Sequence, residues 1–104
     1  MKKSAFVHHV FFWLKNADSQ KDLAQLIEGL RKLESISVMR SCHIGTPAPT
    51  NRSVIDSSYS VSLLTLFDNG EDEKIYQEHP VHKEFIASCS HLWERVLIYD
   101  SIDI

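Results

Sequence analysis

The 104-residue chain predicts a single α+β domain: a four-stranded antiparallel sheet with helices on one face, in the ferredoxin-like order. Two observations carry this. Apolar residues recur at strand period in four places and at helical period in two intervening places, giving strand, helix, strand, strand, helices, strand. The length suits one small core and leaves no sequence for a second domain.

Ala5 to Leu14 opens the chain as a strand rich in β-branched and aromatic residues. Period-two alternation sorts Val7, His9, Phe11 and Trp13 onto one face and Phe6, His8, Val10, Phe12 and Leu14 onto the other. Both faces are apolar, as in a strand covered on both sides.

Ser19 followed by Asp22 makes an approximate capping box, after which Leu23, Leu26, Ile27, Leu30 and Leu33 recur at helical spacing. Lys21, Gln25, Glu28 and Lys32 fall on the opposite side, so this helix should lie on a sheet with one face in water. A second strand is expected from Val38 to Thr46, and a loop with two prolines and several hydroxyl residues from Pro47 to Ser57. A third strand follows from Tyr59 to Phe67 and is broken by Asp68-Asn69-Gly70. Glu71 to Gln77 then reads as a short acidic helix, and Glu71-Asp72-Glu73 as its solvated, dipole-favoured start. Pro80 has a fixed φ and no amide hydrogen, which suits the first position of another helix running towards Trp93. Val96 to Ile104 closes the sheet as a fourth strand.

With helices on one face only, the other sheet face is left open, and Phe6, Val10, Phe12 and Leu14 are expected to project from it. Such an apolar patch calls for a partner.

Composition narrows the function classes. Charged residues make up 24% of the chain and the formal net charge is -3, so no basic field exists for phosphate backbones and nucleic acid is not an expected partner. Three glycines, none in a Gly-rich array, argue against phosphate-cradling loops and hence against nucleotide cofactors. There is no Gly-x-Ser-x-Gly nucleophile motif. Met1-Lys2-Lys3 and the apolar run behind it mimic a secretion signal, but His8 and His9 interrupt the run and no usual cleavage site follows. No segment approaches the length that spans a bilayer. The expectation is a cytoplasmic protein with no membrane partner, mature from near residue 1. Cys42 and Cys89 form no short-spaced metal motif and are expected as two reduced thiols in or near the core.

The chemistry concentrates in Tyr76-Gln77-Glu78-His79-Pro80-Val81-His82, where two imidazoles and a phenol surround a helix start. His79 takes the cap position and His82 the first turn. The positive end of the helix dipole disfavours an imidazolium there, leaving His82 neutral and able to accept a proton near pH 7.

This block, followed by Phe85, together with His9 to Lys15 and the closing Leu92-Trp93-Glu94-Arg95-Val96-Leu97-Ile98-Tyr99-Asp100, resembles the stress-responsive dimeric α/β-barrel (Dabb) family. The resemblance runs from about Phe6 to Asp100, with Ser35-Ile36-Ser37 standing where many members have an Ile-Pro-Gly turn. It implies that two sheets pack face to face as a symmetric homodimer, closing an eight-stranded barrel. It also implies a pocket inside each subunit, between sheet and helices. Tyr76 and His82 match the Tyr and His pair that polyketide-cyclase members use there. His9 matches a strand histidine facing the same pocket, and Trp93 matches a lining aromatic. Alternation puts Phe11 and Trp13 beside His9, and Leu63 and His79 complete the expected ligand contacts.

In a cyclase- or lyase-like reaction His82 would remove a proton next to a carbonyl. Tyr76 would hydrogen-bond the developing enolate oxygen and His9 would orient the substrate, a small aromatic or polyketide-like molecule. The alternative is a non-catalytic, stress-associated binding or interaction module with a closed or vestigial pocket. In that case His79 only caps its helix, His82 bonds a neighbouring carbonyl, and the Tyr76 hydroxyl finds a structural partner. His8, His43 and His91 are expected as surface or interface groups. His79 and His82 with His9 would be the only candidate metal ligands, but no His-Glu-x-x-His, Cys pair or close carboxylates accompany them, so no metal is expected.

Overall fold

The structure, a computed structural model, describes residues 5–104. The Met1-Lys2-Lys3 start discussed above lies outside the described residues.

Strand β1 (Phe6–Leu14) is followed by α1 (Gln20–Lys32), a 3-10 turn at Leu33–Ser35, β2 (Ser41–Gly45), β3 (Val61–Phe67), α2 (Gly70–Glu78), α3 (Pro80–Cys89), a second 3-10 turn at Ser90–Leu92 and β4 (Trp93–Ile102). The sheet order is β2-β3-β1-β4 with every neighbouring pair antiparallel. This is the α+β, ferredoxin-like arrangement expected from the pattern of elements.

Local chemistry sets the helix starts. The Ser19 hydroxyl accepts the Asp22 N–H at 3.1 Å, and the Asn69 side chain accepts the Asp72 N–H at 2.8 Å. His79 caps α3 with its side chain, Nδ1 accepting the Val81 N–H at 3.1 Å, and Pro80 occupies the first turn. Strand β2 is shorter than the expected Val38–Thr46 because Ile36 to Met39 forms a turn, closed by Met39 N–H on Ile36 O and anchored by buried Ile36. Strand β4 begins at Trp93, earlier than Val96, since Trp93 already pairs with Leu14 across a register shift. Among the described residues no helix is long and apolar enough to cross a membrane.

The core corrects the facial assignment of β1. Val10, Phe12 and Leu14 are buried against the helices with Leu26, Leu30, Leu33, Phe67, Tyr76 and Phe85. The open face therefore carries Val7, His9, Phe11 and Trp13, joined by Leu64 and Leu66 of β3 and by Leu97 and Tyr99 of β4. Both sets of β1 side chains are apolar, so burial is decided by where the helices cross, which alternation within β1 does not encode.

Helices α1 and α3 pack closely at Gly29, where an added Cβ would stand 2.6 Å from Cys89 Sγ and 3.2 Å from the Phe85 ring. Alanine exceeds glycine by about 1 kcal/mol in helix propensity. Gly29→Ala is nonetheless expected to lower stability by about 1 kcal/mol in urea denaturation, because the Cys89 side chain is short and buried. Cys89→Ala should relieve much of the loss. Stability equal to wild type in the single variant would mean that the helices have room to separate.

Candidate functional site

Between the sheet and α2 and α3 lies a cavity of about 120 Å³. Val10, Phe12, Leu63, Phe85 and Trp93 form apolar walls, His8, Tyr76, Gln77 and His82 supply polar groups, and Ile86, Val96 and Ile98 stand at the outer side. Ile98 is 48% exposed although its face carries the core, because β4 is an edge strand reaching past the helices.

Tyr76 on α2 is 1% exposed, with its ring 5.1 Å from Phe67 and 4.8 Å from His82. The α2-to-α3 junction at His79-Pro80 brings them together, turning the chain so that Tyr76 and the first turn of α3 face the same space. Burial raises the Tyr76 pKa well above the ordinary tyrosine range, with Cys42 and Glu73 adding to the effect, so the phenol stays a hydrogen-bond donor. Burial, then His8, lowers the His82 pKa, so the imidazole is neutral at pH 7. Among the described residues nothing hydrogen-bonds the Tyr76 hydroxyl or the His82 ring nitrogens, and no side-chain N or O is both buried and unpaired. These atoms consequently reach open space rather than a structural partner.

His8 is the polar residue that the sequence did not single out. Expected at a surface or interface, it is instead 4% exposed on the helix-covered face of β1. Its Nδ1 lies 2.6 Å from Asp100 Oδ1 and 3.9 Å from Glu73 Oε2. With the proton on Nδ1, directed at Asp100, Nε2 accepts from the Gln77 amide at 3.4 Å, and that amide also donates to Glu73 at 2.7 Å. The network ties β1, β4 and α2 together at one end of the cavity, with the His8 ring 6.1 Å from that of Tyr76. A period-two count starting from Val10 as a core position would have found it.

Of the expected site residues, Tyr76, His82, Leu63 and Trp93 meet at this cavity. His9, Phe11 and Trp13 do not: they project from the opposite side of the sheet, His9 stacking 4.3 Å from Phe11 and Trp13 lying under Arg95 at 4.2 Å. The place expected for His9 is held by His8, one residue earlier and hence on the other face. His79 is committed to its cap, which leaves no trio with His82 and His9 for a metal. Among the described residues no three His, Cys, Asp or Glu side chains are grouped to hold a metal ion. Both cysteines are free; burial, then Glu34, pushes the Cys42 thiol up to about 11, far from a reactive thiolate.

The model of the stress responsive A/B barrel domain matches residues 6–103. The chain belongs to the Dabb family. Among solved structures, this Dabb domain resembles a Dabb family protein with a ferredoxin-like fold from Mesorhizobium loti, with 19% identity, a TM-score of 0.80, and 97% of this chain and 98% of that one covered. It also resembles the hydroxynitrile lyase from Passiflora edulis, with 22% identity, a TM-score of 0.79, and 99% and 96% covered. A dimeric ferredoxin-like protein of unknown function from Thermobifida fusca aligns with 17% identity, a TM-score of 0.76, and 97% and 92% covered. At these identities the likeness is one of fold. No curated protein matches the Dabb domain by sequence.

The histidines also predict how stability depends on pH. His82 and His9 both have native pKa values below the ordinary 6.5, so the unfolded chain binds their protons more readily. Their contribution is fully present above pH 6.5 and is lost as pH falls through the native values. The urea midpoint should therefore drop between pH 7.5 and 5.5, and drop less in His82→Gln. An equal drop in the variant would show that His82 ionises alike in both states.

Proposed function

We propose that this Dabb domain is a homodimer in which each subunit binds a small organic ligand between sheet and helices, and that His82 and Tyr76 act on it as base and acid. One observation carries the proposal: the Tyr76 hydroxyl and the His82 nitrogens have no partner among the described residues and meet in an apolar-walled cavity. A donor kept protonated beside an acceptor kept neutral suits a ligand whose hydroxyl or α-carbon loses a proton while an oxygen gains negative charge. His82 takes the proton and Tyr76 hydrogen-bonds the oxygen. The His8–Asp100 pair holds its imidazole at the end of the cavity and orients the ligand, the role expected of His9 from sequence.

A cavity of about 120 Å³ is somewhat smaller than the roughly 150 Å³ that accommodates benzene, so it encloses a short branched chain, and an aromatic ring fits only by reaching into its outer side. A longer aromatic or polyketide-like ligand would extend outwards past Ile86, Val96 and Ile98. The same small volume is what favours the second reading, a non-catalytic module with a closed pocket. The Passiflora neighbour makes hydroxynitriles a reasonable first ligand class. Pairing through the open face draws support from its apolar residues and from neighbours described as dimeric.

A thermal-shift screen of wild type and His82→Ala tests the site, using small aromatic acids, phenols, lactones and hydroxynitriles. Stabilisation of wild type but not of the variant supports the proposal. No shift with any compound favours the closed module.

A further inference from the structure

We infer that the open sheet face is a proton-gated self-association surface, through which two copies of this chain pair while His9 is neutral and separate when it is charged. The inference rests on the homodimer reading above.

His9 stands on central strand β1, level with Leu64 of β3 and Tyr99 of β4. His43 of edge strand β2 occupies the same row on the far side of Leu64. The His9 ring lies flat enough on Phe11, at a tilt of 33°, to be part of the apolar surface rather than a solvated tip.

The ionisable groups around this row decide the outcome. At their paired positions on this face the four strands present His9, His43, Tyr99 and Arg95 and no carboxylate, while Glu94 is the inserted residue at the β4 irregularity next to Arg95, at the far end of the strand from Tyr99. Arg95 is a further cation, seated over Trp13. The other carboxylates near this face lie outside the strands: Asp56 accepts the Ser58 N–H and feels Arg95, Asp68 pairs with Arg40 at 3.0 Å, and Asp103 follows β4. Behind the sheet His8 contributes another imidazole, and its partner Asp100 lies on the helix side. A symmetric dimer repeats the same surface, so the second copy brings the same carboxylate-free row of His9, Leu64, His43 and Tyr99, with Asp56 and Glu94 confined to the Arg95 end. Four imidazoles and two guanidinium groups then share one contact.

Burying an imidazolium without an anion is strongly unfavourable, whereas burying a neutral imidazole against aromatic rings costs far less, only the desolvation of its two ring nitrogens. In the single subunit burial, then His43 and His8, already lowers the His9 pKa from 6.5, and covering the face lowers it further. A pKa lower in the dimer than in the free subunit means that association is strongest above the free-subunit value and weakens as pH falls below it.

The dimer dissociation constant measured by sedimentation at pH 7.5 and 5.5 tests the inference, with near-ultraviolet circular dichroism confirming native packing at both. For wild type it should rise at least ~10-fold on acidification, since each His9 in the pair can contribute up to about 10-fold per pH unit. His9→Gln/His43→Gln should change less than ~2-fold over the same interval, a loss of slope that a merely structural role would not produce. His9→Gln alone, on the face away from the core, should remove most of the slope without disturbing the core. A wild-type dimer with a constant that does not move, or variants that keep the full slope, would overturn the gating and leave the dimer standing. A wild type that is monomeric at both pH values would overturn the dimer as well.

Discussion

His82→Gln is expected to lower turnover by about 10²–10⁴-fold on a ligand that stabilises the wild type, the range for loss of a positioned general base. Glutamine keeps much of the imidazole's size and hydrogen-bonding reach but takes up no proton near neutrality, so the loss should fall on kcat more than on KM. The acid limb of the wild-type kcat/KM profile should lie below pH 6.5, because burial and the neighbouring His8 depress the His82 pKa. Below that limb the base is protonated and the rate falls; above it the rate is level. Steady-state kinetics from pH 4.5 to 8 measures both effects. An unchanged kcat in the variant would remove His82 from the chemistry.

Tyr76 allows function and structure to be separated at a single residue. Its ring is fully packed against Phe67 and His82, while its hydroxyl bonds nothing among the described residues. Tyr76→Ala should cost about 3–5 kcal/mol, the range for truncating a buried aromatic. Tyr76→Phe should leave stability within about 0.5 kcal/mol of wild type, since no internal hydrogen bond is broken. The same variant should nevertheless lose about 10²–10³-fold in turnover, as expected when a donor to a developing oxyanion is removed. Urea denaturation and kinetics on the two variants check this together. A Tyr76→Phe protein that is markedly less stable yet equally active would mean that the hydroxyl serves the fold.

Much of the site was legible because it is local. Tyr76, His79, Pro80 and His82 lie within one helix-to-helix junction, and each position follows from short-range rules: Pro80 in the first turn, His79 at the cap, His82 in the turn behind it. Trp93 was reached through resemblance, and both Trp93 and the expected ligand contact Leu63 lie in the cavity wall. The His8–Asp100 pair was not legible, because its residues are 92 positions apart and meet only through the β1 to β4 register.

By itself the sequence determined the order of elements, the helix starts and the grouping of Tyr76, His79 and His82 around the start of α3, since capping, proline geometry and hydrophobic period act over a few residues. Only the tertiary structure decided which side of β1 faces the helices, and with it whether His8 or His9 enters the cavity. Both sides of that strand are apolar and each carries one histidine, so nothing within the strand prefers one. The choice is made by where α1, α2 and α3 cross the sheet, a property of chain connection and sheet twist that no single strand contains.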